Sequence, residues 1–377
     1  MKTVRVAAAI LACVLGAAST AWGEPTFLAK QYVRCTTCHV SPTGGGLLTA
    51  YGRSLSHHEL STTGEPVPSH EPESGRGEQA FMYGLLGDQL GPVQLGIHLR
   101  PSRLHYDFGG FTMDRNLLMT ADVIGAVDVN DWTLYGQVGR QARSTGAEYD
   151  SYEYWGGRQP DQGVGFRVGR FLPAYGIRFA DHTSFNREHL GLTQFDQVYG
   201  VEVSHTTDRS LTQVSVGPGY ADGLLRDDDG REGFTATGRF QVDLSPTTAF
   251  VASGLFRGES DDQARHGAGG VALGFVPVPK LTVWTQLDTR FQTGVDDPAY
   301  VIVNETSYEV YRGIWLKVSP QARTGGGDST PDLLRLMLGA VLLPRTHWNV
   351  NLSYYRDRNR TSETTTQILL AQLHLYL

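Results

Sequence analysis

The sequence has little cysteine, and beyond its first residues it has no long apolar run. It contains 3 cysteines among 377 residues, so no second cysteine pair is present to complete a four-ligand zinc site. After the N-terminal region, no apolar stretch is long enough to cross a bilayer as a helix. The formal net charge is -7 and no basic stripe stands out, which argues against a nucleic-acid partner.

The first residues have the pattern of an export signal. Lys2 and Arg5 precede the apolar run 6–18, and Ala-Trp-Gly at 21–23 offers small residues where signal peptidase cleaves. We therefore expect residues 1–23 to be a signal peptide that is removed together with Cys13. A lipoprotein signal ending at Cys13 is the weaker alternative.

Cys35 and Cys38 then remain as the cysteines of the exported chain, and His39 follows directly. In a C-x-x-C-H motif the two thiols add to the vinyl groups of a haem, and the adjacent histidine ligates the iron. A vicinal disulfide or a redox pair is the alternative for two cysteines at this spacing. The adjacent histidine and the export signal favour one covalent haem c, with His39 as the proximal iron ligand.

The residues after the motif predict a short helix that would cover the porphyrin. Residues 44–46 are all glycine and predict a turn. Four apolar residues recur after it at helical spacing: Leu47, Leu48, Tyr51 and Leu55. So short a segment cannot supply a core of its own, and we expect the haem to be that core. A small helical cytochrome unit is therefore predicted over residues 24–60, followed by a Pro- and Glu-rich linker over 61–91.

The second iron ligand is not fixed by the motif. No methionine lies between His39 and Met82, which excludes a His/Met pair within the small unit. His57 and His58 are the nearest candidates for the distal ligand, with His70 in the linker behind them. A ligand from the rest of the chain and an open position are the alternatives.

From residue 92 onward, apolar and polar residues alternate over segments of about ten residues, the pattern of barrel strands. In one such segment Val93, Leu95, Ile97 and Leu99 alternate with Gln94, Gly96, His98 and Arg100. A soluble sandwich also alternates. Long strands that continue to the end of the chain favour a mainly β fold, a transmembrane antiparallel β-barrel with its apolar face outward and its polar face toward a lumen. The predicted barrel occupies residues 92–377.

Sixteen strands are predicted for this barrel. They lie at 93–104, 116–128, 132–142, 151–158, 163–172, 197–206, 210–217, 233–244, 248–257, 267–277, 281–291, 301–311, 314–320, 332–343, 347–356 and 367–377. Short connections alternate with long polar ones, including 173–196, 218–232, 257–266 and 321–331. Short periplasmic turns opposite long external loops are typical of bacterial outer-membrane barrels, which have an even strand number. The weakest strand predictions are 151–158 and the division at Arg312, and without both the count is fourteen.

The order of signal, C-x-x-C-H unit, linker and barrel resembles the fused monohaem cytochrome–porins, outer-membrane proteins known best from iron-oxidising bacteria. The resemblance rests on Cys35, Cys38 and His39, on LLTAYGRSL at 47–55 and on the barrel layout, and VGRFLPAYG at 168–176 is also similar to porin segments. It implies electron transfer across the outer membrane, with the haem unit near or inside the barrel mouth. The implied partners are a periplasmic carrier, either a cytochrome or a copper protein, and an extracellular donor or acceptor, with Fe(II) the leading candidate.

The physics of the bilayer points in the same direction. A hydrocarbon core of about 30 Å is an insulator, so an electron crosses it only where a redox centre is held within it. A sixteen-strand barrel leaves a water-filled lumen that admits a small plug. Five lumen residues are candidates to meet the haem propionates, with ordinary pore-lining charge as the alternative: His98, Arg100, Arg167, Arg239 and Arg335. The acidic loop stretches 226–232 and 258–263 would attract cations such as Fe(II). Solvated loop charge is the favoured interpretation, because no histidine or second carboxylate cluster completes a site there.

Two other functions are consistent with the sequence. One is a solute porin in which the haem is only a plug or a redox sensor. The other is a soluble periplasmic cytochrome with a large β domain. For all of these functions, the sequence indicates a protein of electron transfer or transport, and not a hydrolase or a transferase. If the protein is an enzyme, iron oxidation is the expected activity.

Overall fold

The computed structural model describes residues 25–64, 92–143, 146–181, 183–193, 196–218, 233–259, 265–325 and 332–376. Sixteen antiparallel strands form one closed barrel in which every strand pairs with its sequence neighbours and β1 pairs with β16. The strands are β1 Val93–Phe108, β2 Phe111–Val129, β3 Trp132–Arg143, β4 Gly146–Arg158, β5 Gly163–Phe171, β6 Val198–Thr206, β7 Ser210–Pro218, β8 Gly233–Ser245, β9 Thr248–Glu259, β10 Arg265–Val278, β11 Leu281–Gln292, β12 Ala299–Tyr311, β13 Ile314–Arg323, β14 Leu333–Leu342, β15 Trp348–Asn359 and β16 Thr364–Tyr376. The prediction of sixteen strands, and not fourteen, is confirmed.

The first hairpin is longer than predicted. The sequence indicated a loop between residues 104 and 116, but β1 and β2 continue until only Gly109 and Gly110 separate them. Both glycines have positive φ, 55° and 94°, which allows a two-residue turn that other residues rarely adopt. The added strand residues are polar or aromatic on both faces, so their alternation is weak and the strand ends were not visible in the sequence.

The two faces of the barrel differ as the alternation predicts. Apolar side chains on the outer face are exposed, for example Leu134 at 62% and Val164 at 60%. Polar side chains on the same strands face inward and are buried, among them Thr235, Thr237 and Gln241 of β8. An apolar exterior around a polar interior is the arrangement of a barrel placed in lipid. Within the described residues, no helix is long and apolar enough to cross a membrane.

Seven short connections, among them 130–131, 207–209, 246–247 and 312–313, lie together at one end of the barrel, which we call the short-turn end. Residues 25–64, which we call the N-terminal segment, lie inside the lumen at this end. Near its start, the indole Nε1 of Trp284 donates to the Pro25 carbonyl over 3.0 Å. At its end, the Thr62 N–H donates to the Leu343 carbonyl over 2.8 Å.

The connection from β5 to β6 folds back into the lumen. The sequence predicted residues 173–196 as a long external loop, and that prediction was wrong about the loop's location. Phe179 and Phe185 are buried at 1% and 0% exposure, and α2, Phe185–Glu188, packs near β12 and β13. Side chains of the barrel wall accept hydrogen bonds from the backbone of this connection. The Ile177 N–H donates to Gln286 and the Phe185 N–H donates to Gln321, each over 2.8 Å. We call residues 172–197 the lumen loop.

Candidate cofactor site in the lumen

The three residues of the C-x-x-C-H motif lie on one tight turn of the N-terminal segment. Cys35–Thr37 form a 3-10 turn, and the N–H groups of Cys38 and His39 both donate to the Cys35 carbonyl, over 3.2 and 3.0 Å. The two cysteines are not joined in a disulfide. The turn therefore presents two thiols and an imidazole within one short stretch of backbone, as covalent attachment of a haem requires.

The imidazole of His39 is half-buried and has a lowered pKa. Burial and the positive charge of Arg178 outweigh hydrogen bonds to the backbone of Gly45 and Gly46, so that the pKa of His39 is lowered to about 4. Within the described residues, its Nδ1 atom is buried and has no hydrogen-bond partner. One ring nitrogen bonded to the backbone and the other left without a protein partner is the division found in metal-ligating histidines. His39 thus fits the role of iron ligand.

Two glycines allow the chain to close around this turn. Gly44 has φ +78°, and a Cβ at that position would lie 3.1 Å from the Cys35 sulfur. A Cβ at Gly52 would lie 2.4 Å from the Cys38 carbonyl oxygen. Any larger residue at either position would push the chain away from the thiols. The predicted turn at 44–46 is present, and it packs tightly against the motif.

The predicted helix is shorter than expected and has no single apolar face. Helix α1, Ala50–Leu55, begins after Thr49, whose hydroxyl accepts from the Gly52 N–H over 3.0 Å, and it continues into a π-helical turn at Ser56–Leu60. Leu47 precedes the helix and Tyr51 is 40% exposed.

The apolar residues of the segment pack against the barrel wall. Leu47 lies in a cluster with Ile124, Tyr135 and Trp155, and Leu55 packs with Leu343 near the short-turn end. The expectation that a haem alone would serve as the core of this segment was therefore wrong. The wall supplies apolar contacts that the sequence could not assign to the segment.

A small cavity of about 50 Å³ lies between the N-terminal segment and the lumen loop, and Cys35 lines it. Apolar side chains form much of its wall: Leu172, Ala174, Ile177, Leu192 and Leu211. Three arginines also line it: Arg178 and Arg187 of the lumen loop, and Arg239 of β8. The lining combines a thiol, apolar side chains and cationic groups, which suit the chemistry of a haem edge that carries carboxylates.

The five lumen residues proposed from the sequence are distributed over different sites, and of these only Arg239 lines the cavity. Arg167 is buried between Glu153 and Glu202, at N–O distances of 3.4 and 3.0 Å. Arg335 pairs with Asp357 over 2.7 Å. His98 and Arg100 lie on β1, where the charges of Arg100 and His39 both act on His98.

Arg178 and Arg187 were missed because the lumen loop was read as external. The run of apolar residues at 171–179, "FLPAYGIRF", was the available signal, since a solvated loop seldom carries so many buried-type side chains.

No described contact brings the predicted distal ligands to His39. His57 and His58 lie side by side in the π-helical turn, with ring centroids 4.5 Å apart. Two wall histidines, His98 on β1 and His374 on β16, are near enough to His39 for their charges to interact with it, and their own ring centroids are 5.0 Å apart. His374 had not been singled out from the sequence. Its Nε2 atom is buried without a hydrogen-bond partner.

Several predicted features fall outside the described residues. They include the signal, nearly all of the linker with His70, the acidic stretch 226–232 and most of 258–263. Across the described ranges, no group of three or more His, Cys, Asp or Glu side chains is arranged to hold a bare metal ion.

No family model and no curated protein sequence matches this chain. The structure is similar to solved outer-membrane proteins. A loop-deletion mutant of OmpT from Vibrio cholerae aligns with a TM-score of 0.55 and 13% identity, covering 76% of this chain and 99% of that chain. The outer membrane channel DcaP of Acinetobacter baumannii aligns with 0.53 and 12%, covering 75% and 97%. An anion-selective porin from Comamonas acidovorans aligns with 0.55 and 10%, covering 76% and 99%. At these identities the likeness shows the fold alone, and that fold is the closed barrel of outer-membrane porins.

Proposed function

We propose that the protein is an outer-membrane cytochrome–porin. It carries electrons between an extracellular donor or acceptor and a periplasmic carrier through one haem c, bound covalently to Cys35 and Cys38 with His39 as proximal ligand. One observation carries the proposal: the C-x-x-C-H turn lies inside the lumen of a porin-type barrel, beside a cavity that Cys35 and three arginines line.

The residues around the turn have separate tasks in this function. When bound, the haem supplies a one-electron Fe(III)/Fe(II) centre. The two thiols fix its position and the neutral His39 imidazole offers a ring nitrogen to the iron. Leu172 and Ile177 keep water from one side of the cavity, which favours the less charged form of the centre. His57 and His58 stay candidates for the sixth iron position, and absorption spectra of His57→Ala and His58→Ala test them.

The barrel gives the electron path a direction across the membrane. In outer-membrane barrels the short turns face the periplasm and the long loops face outward. The N-terminal segment contacts the short turns, since Arg34 Nη1 donates to the carbonyl of Thr207 over 2.9 Å. A periplasmic cytochrome or copper protein would therefore approach from the short-turn end. Fe(II), attracted by acidic loop residues, would approach from the other end.

A solute porin with the haem as plug or sensor is the second candidate, and the porin-type fold favours it. The occupied lumen argues against it, because the N-terminal segment and the lumen loop both fill the interior. Salt bridges such as Lys30–Glu309, at 2.9 Å, hold the segment in place. A large solute flux would require these contacts to open.

Sealed proteoliposomes distinguish the two candidates. The vesicles carry a reducible dye and an iron chelator inside, and Fe(II) is added outside. We expect dye reduction with the parent protein and none with His39→Ala, whose strands pair without the haem. Equal reduction with His39→Ala, together with a large ion conductance of the parent in planar bilayers, would establish the porin function instead.

A further inference from the structure

Three arginines meet at the cavity beside Cys35, and each donates hydrogen bonds to neutral acceptors. Arg178 donates to the carbonyls of Thr43 and Gly44. Arg187, which is buried, donates to the carbonyl of Phe179 over 3.1 Å. The acceptors of Arg239 are the Gly176 carbonyl at 2.9 Å and the Gln241 side chain at 2.6 Å. These bonds fix the three guanidinium groups around one space without neutralising their charge.

In the described part of the chain, none of the three forms an ion pair with a carboxylate. The carboxylates whose charges reach Arg239 have other partners, because Asp243 pairs with Arg34 over 2.7 Å and Glu202 pairs with Arg167 over 3.0 Å. The pKa of Arg187 is lowered to about 9, chiefly by burial and next by the charge of Arg178, while the charges of Asp181 and Asp196 oppose the shift.

Three other buried arginines, Arg34, Arg167 and Arg335, are paired with carboxylates. Arg335 is held by Asp357 over 2.7 Å. Cationic groups removed from water without a counter-charge are unfavourable.

The charge of Glu153 acts on Arg178, and those of Asp181 and Asp196 act on Arg187. In the described part of the chain, however, none of these carboxylates forms an ion pair with them. A carboxylate bound in the cavity would add the direct hydrogen bonds that are missing.

We propose that Arg178, Arg187 and Arg239 form a carboxylate-binding site, and that its occupants are the two propionates of the haem attached at Cys35. The assignment rests on the proposed function. The lining of the cavity brings together the thiol of Cys35, apolar side chains and the three guanidinium groups. Guanidinium groups bind carboxylates through paired, charge-assisted hydrogen bonds. The lumen loop is then one wall of the haem site, and the barrel holds the cofactor together with the N-terminal segment.

The proposed site has a specific consequence for the midpoint potential of the haem. Positive charge near the haem edge stabilises the reduced, less positive iron. Removing one guanidinium charge should therefore shift the midpoint potential to more negative values, whereas lysine at the same position should preserve it.

The test measures the midpoint potential of the purified, haem-loaded protein in detergent. We expect Arg239→Gln and Arg178→Gln to shift it negative and Arg239→Lys to leave it near the parent value. Arg257→Gln is the matched control, because Arg257 donates to the Gly191 carbonyl of the same loop over 2.6 Å but does not line the cavity. Equal potentials for Arg239→Gln and Arg257→Gln would overturn the site.

A second arm separates the haem propionates from a free carboxylate that enters through the pore. Glutarate is titrated into the haem-loaded parent, and we expect no change of potential because the propionates occupy the site. A saturable shift that Arg239→Gln abolishes would assign the arginines to a solute instead. Absence of covalent haem from the parent overturns the proposed function as well, whereas haem present with unaltered variant potentials overturns this assignment alone.

Discussion

Arg34 of the N-terminal segment and Asp243 of β8 form a buried ion pair, with 2.7 Å between Nη2 and Oδ2. Arg34 is 1% exposed, and in the turn after β6 its Nη1 donates to the carbonyl of Thr207 and its Nη2 to that of Asp208. One side chain thus joins the segment to a wall strand and to a short turn. The position of the Cys35 turn in the lumen follows directly, because Cys35 is the next residue along the chain.

We expect Arg34→Gln to release the N-terminal segment from the wall. The change leaves Asp243 buried without its counter-charge, which costs about 3 to 5 kcal/mol. Limited proteolysis of detergent-solubilised protein should then cleave residues 25–64 faster than in the parent. The control is Arg158→Gln, which removes an ion pair with Asp131 that is also 2.7 Å long but exposed on both sides. An exposed pair contributes about 0 to 1 kcal/mol, so cleavage should be unaltered. Equal rates for the two variants would contradict the anchoring role of Arg34.

Replacing Cys35 or Cys38 by Ala should abolish covalent haem. Each thiol forms one thioether bond, and a haem held by His39 alone is lost when the protein is denatured. The measurement is peroxidase-active staining of the denatured band, with an immunoblot to show that the barrel is present. Cys13→Ser provides the control, since Cys13 lies in the predicted signal and should not affect staining. A stained band that survives either motif substitution would refute the attachment site.

The barrel could be predicted because each strand has a pattern that is visible within a few neighbouring residues of the sequence. A strand with one face outward and one face inward repeats every two residues, so the eight residues from 93 to 100 are enough to recognise one. The strand number followed from repeating this pattern along the chain, and even the weak strand at 151–158 was correct. Strand ends were less visible, because the residues around Gly109 alternate poorly.

The interior of the barrel could not be predicted in the same way. Arg178 donates to the carbonyls of Thr43 and Gly44, which lie more than a hundred positions away along the chain. A repeating pattern of apolar and polar residues gives no information about a contact between such distant positions. The C-x-x-C-H motif identified Cys35, Cys38 and His39 because its spacing is itself the chemical signal. The arginines of the cavity carry no such spacing, and only the closed fold brings them together.

We expect Gly44→Ala to reduce covalent haem attachment. Its positive φ of +78° costs an alanine about 1 to 2 kcal/mol, and the added methyl would lie 3.0 Å from the Cys35 Cβ. Haem staining per unit of barrel protein measures the effect. Gly254→Ala is the matched control, because Gly254 of β9 has no atom within 4 Å of an added Cβ. Unaltered staining in Gly44→Ala would mean that the turn adjusts without cost.

The barrel orientation predicts where protease reaches intact cells. External loops should be cut within 218–232 or 257–266, whereas 245–248 should be spared. The structure places the turn 246–247 at the short-turn end, which faces the periplasm in porin-type barrels. Mass spectrometry of the released fragments locates the cleavage, and permeabilised cells serve as the control for intrinsic susceptibility. Cleavage at 245–248 alone would reverse the orientation and with it the side from which each partner approaches.

The lumen loop should loosen as the pH falls below about 6.5. His189 follows α2, and its Nδ1 lies 2.9 Å from the Arg323 guanidinium, which requires a neutral imidazole as acceptor. Burial and the charges of Arg323, Arg335 and Arg290 lower the pKa of His189 from 6.5 to about 3. Because the undocked loop binds the proton more readily, docking is strongest above pH 6.5 and weakens as the pH falls from there toward 3.

Hydrogen exchange over residues 183–193, corrected for the intrinsic dependence of exchange on pH, measures this opening. We expect protection to fall between pH 6.5 and 4 in the parent. In His189→Gln the amide can still accept from Arg323 but does not titrate, so protection should stay nearly constant over the same range. A parallel loss of protection in both proteins would assign the opening to the acidic residues of the loop, such as Glu188, and not to His189.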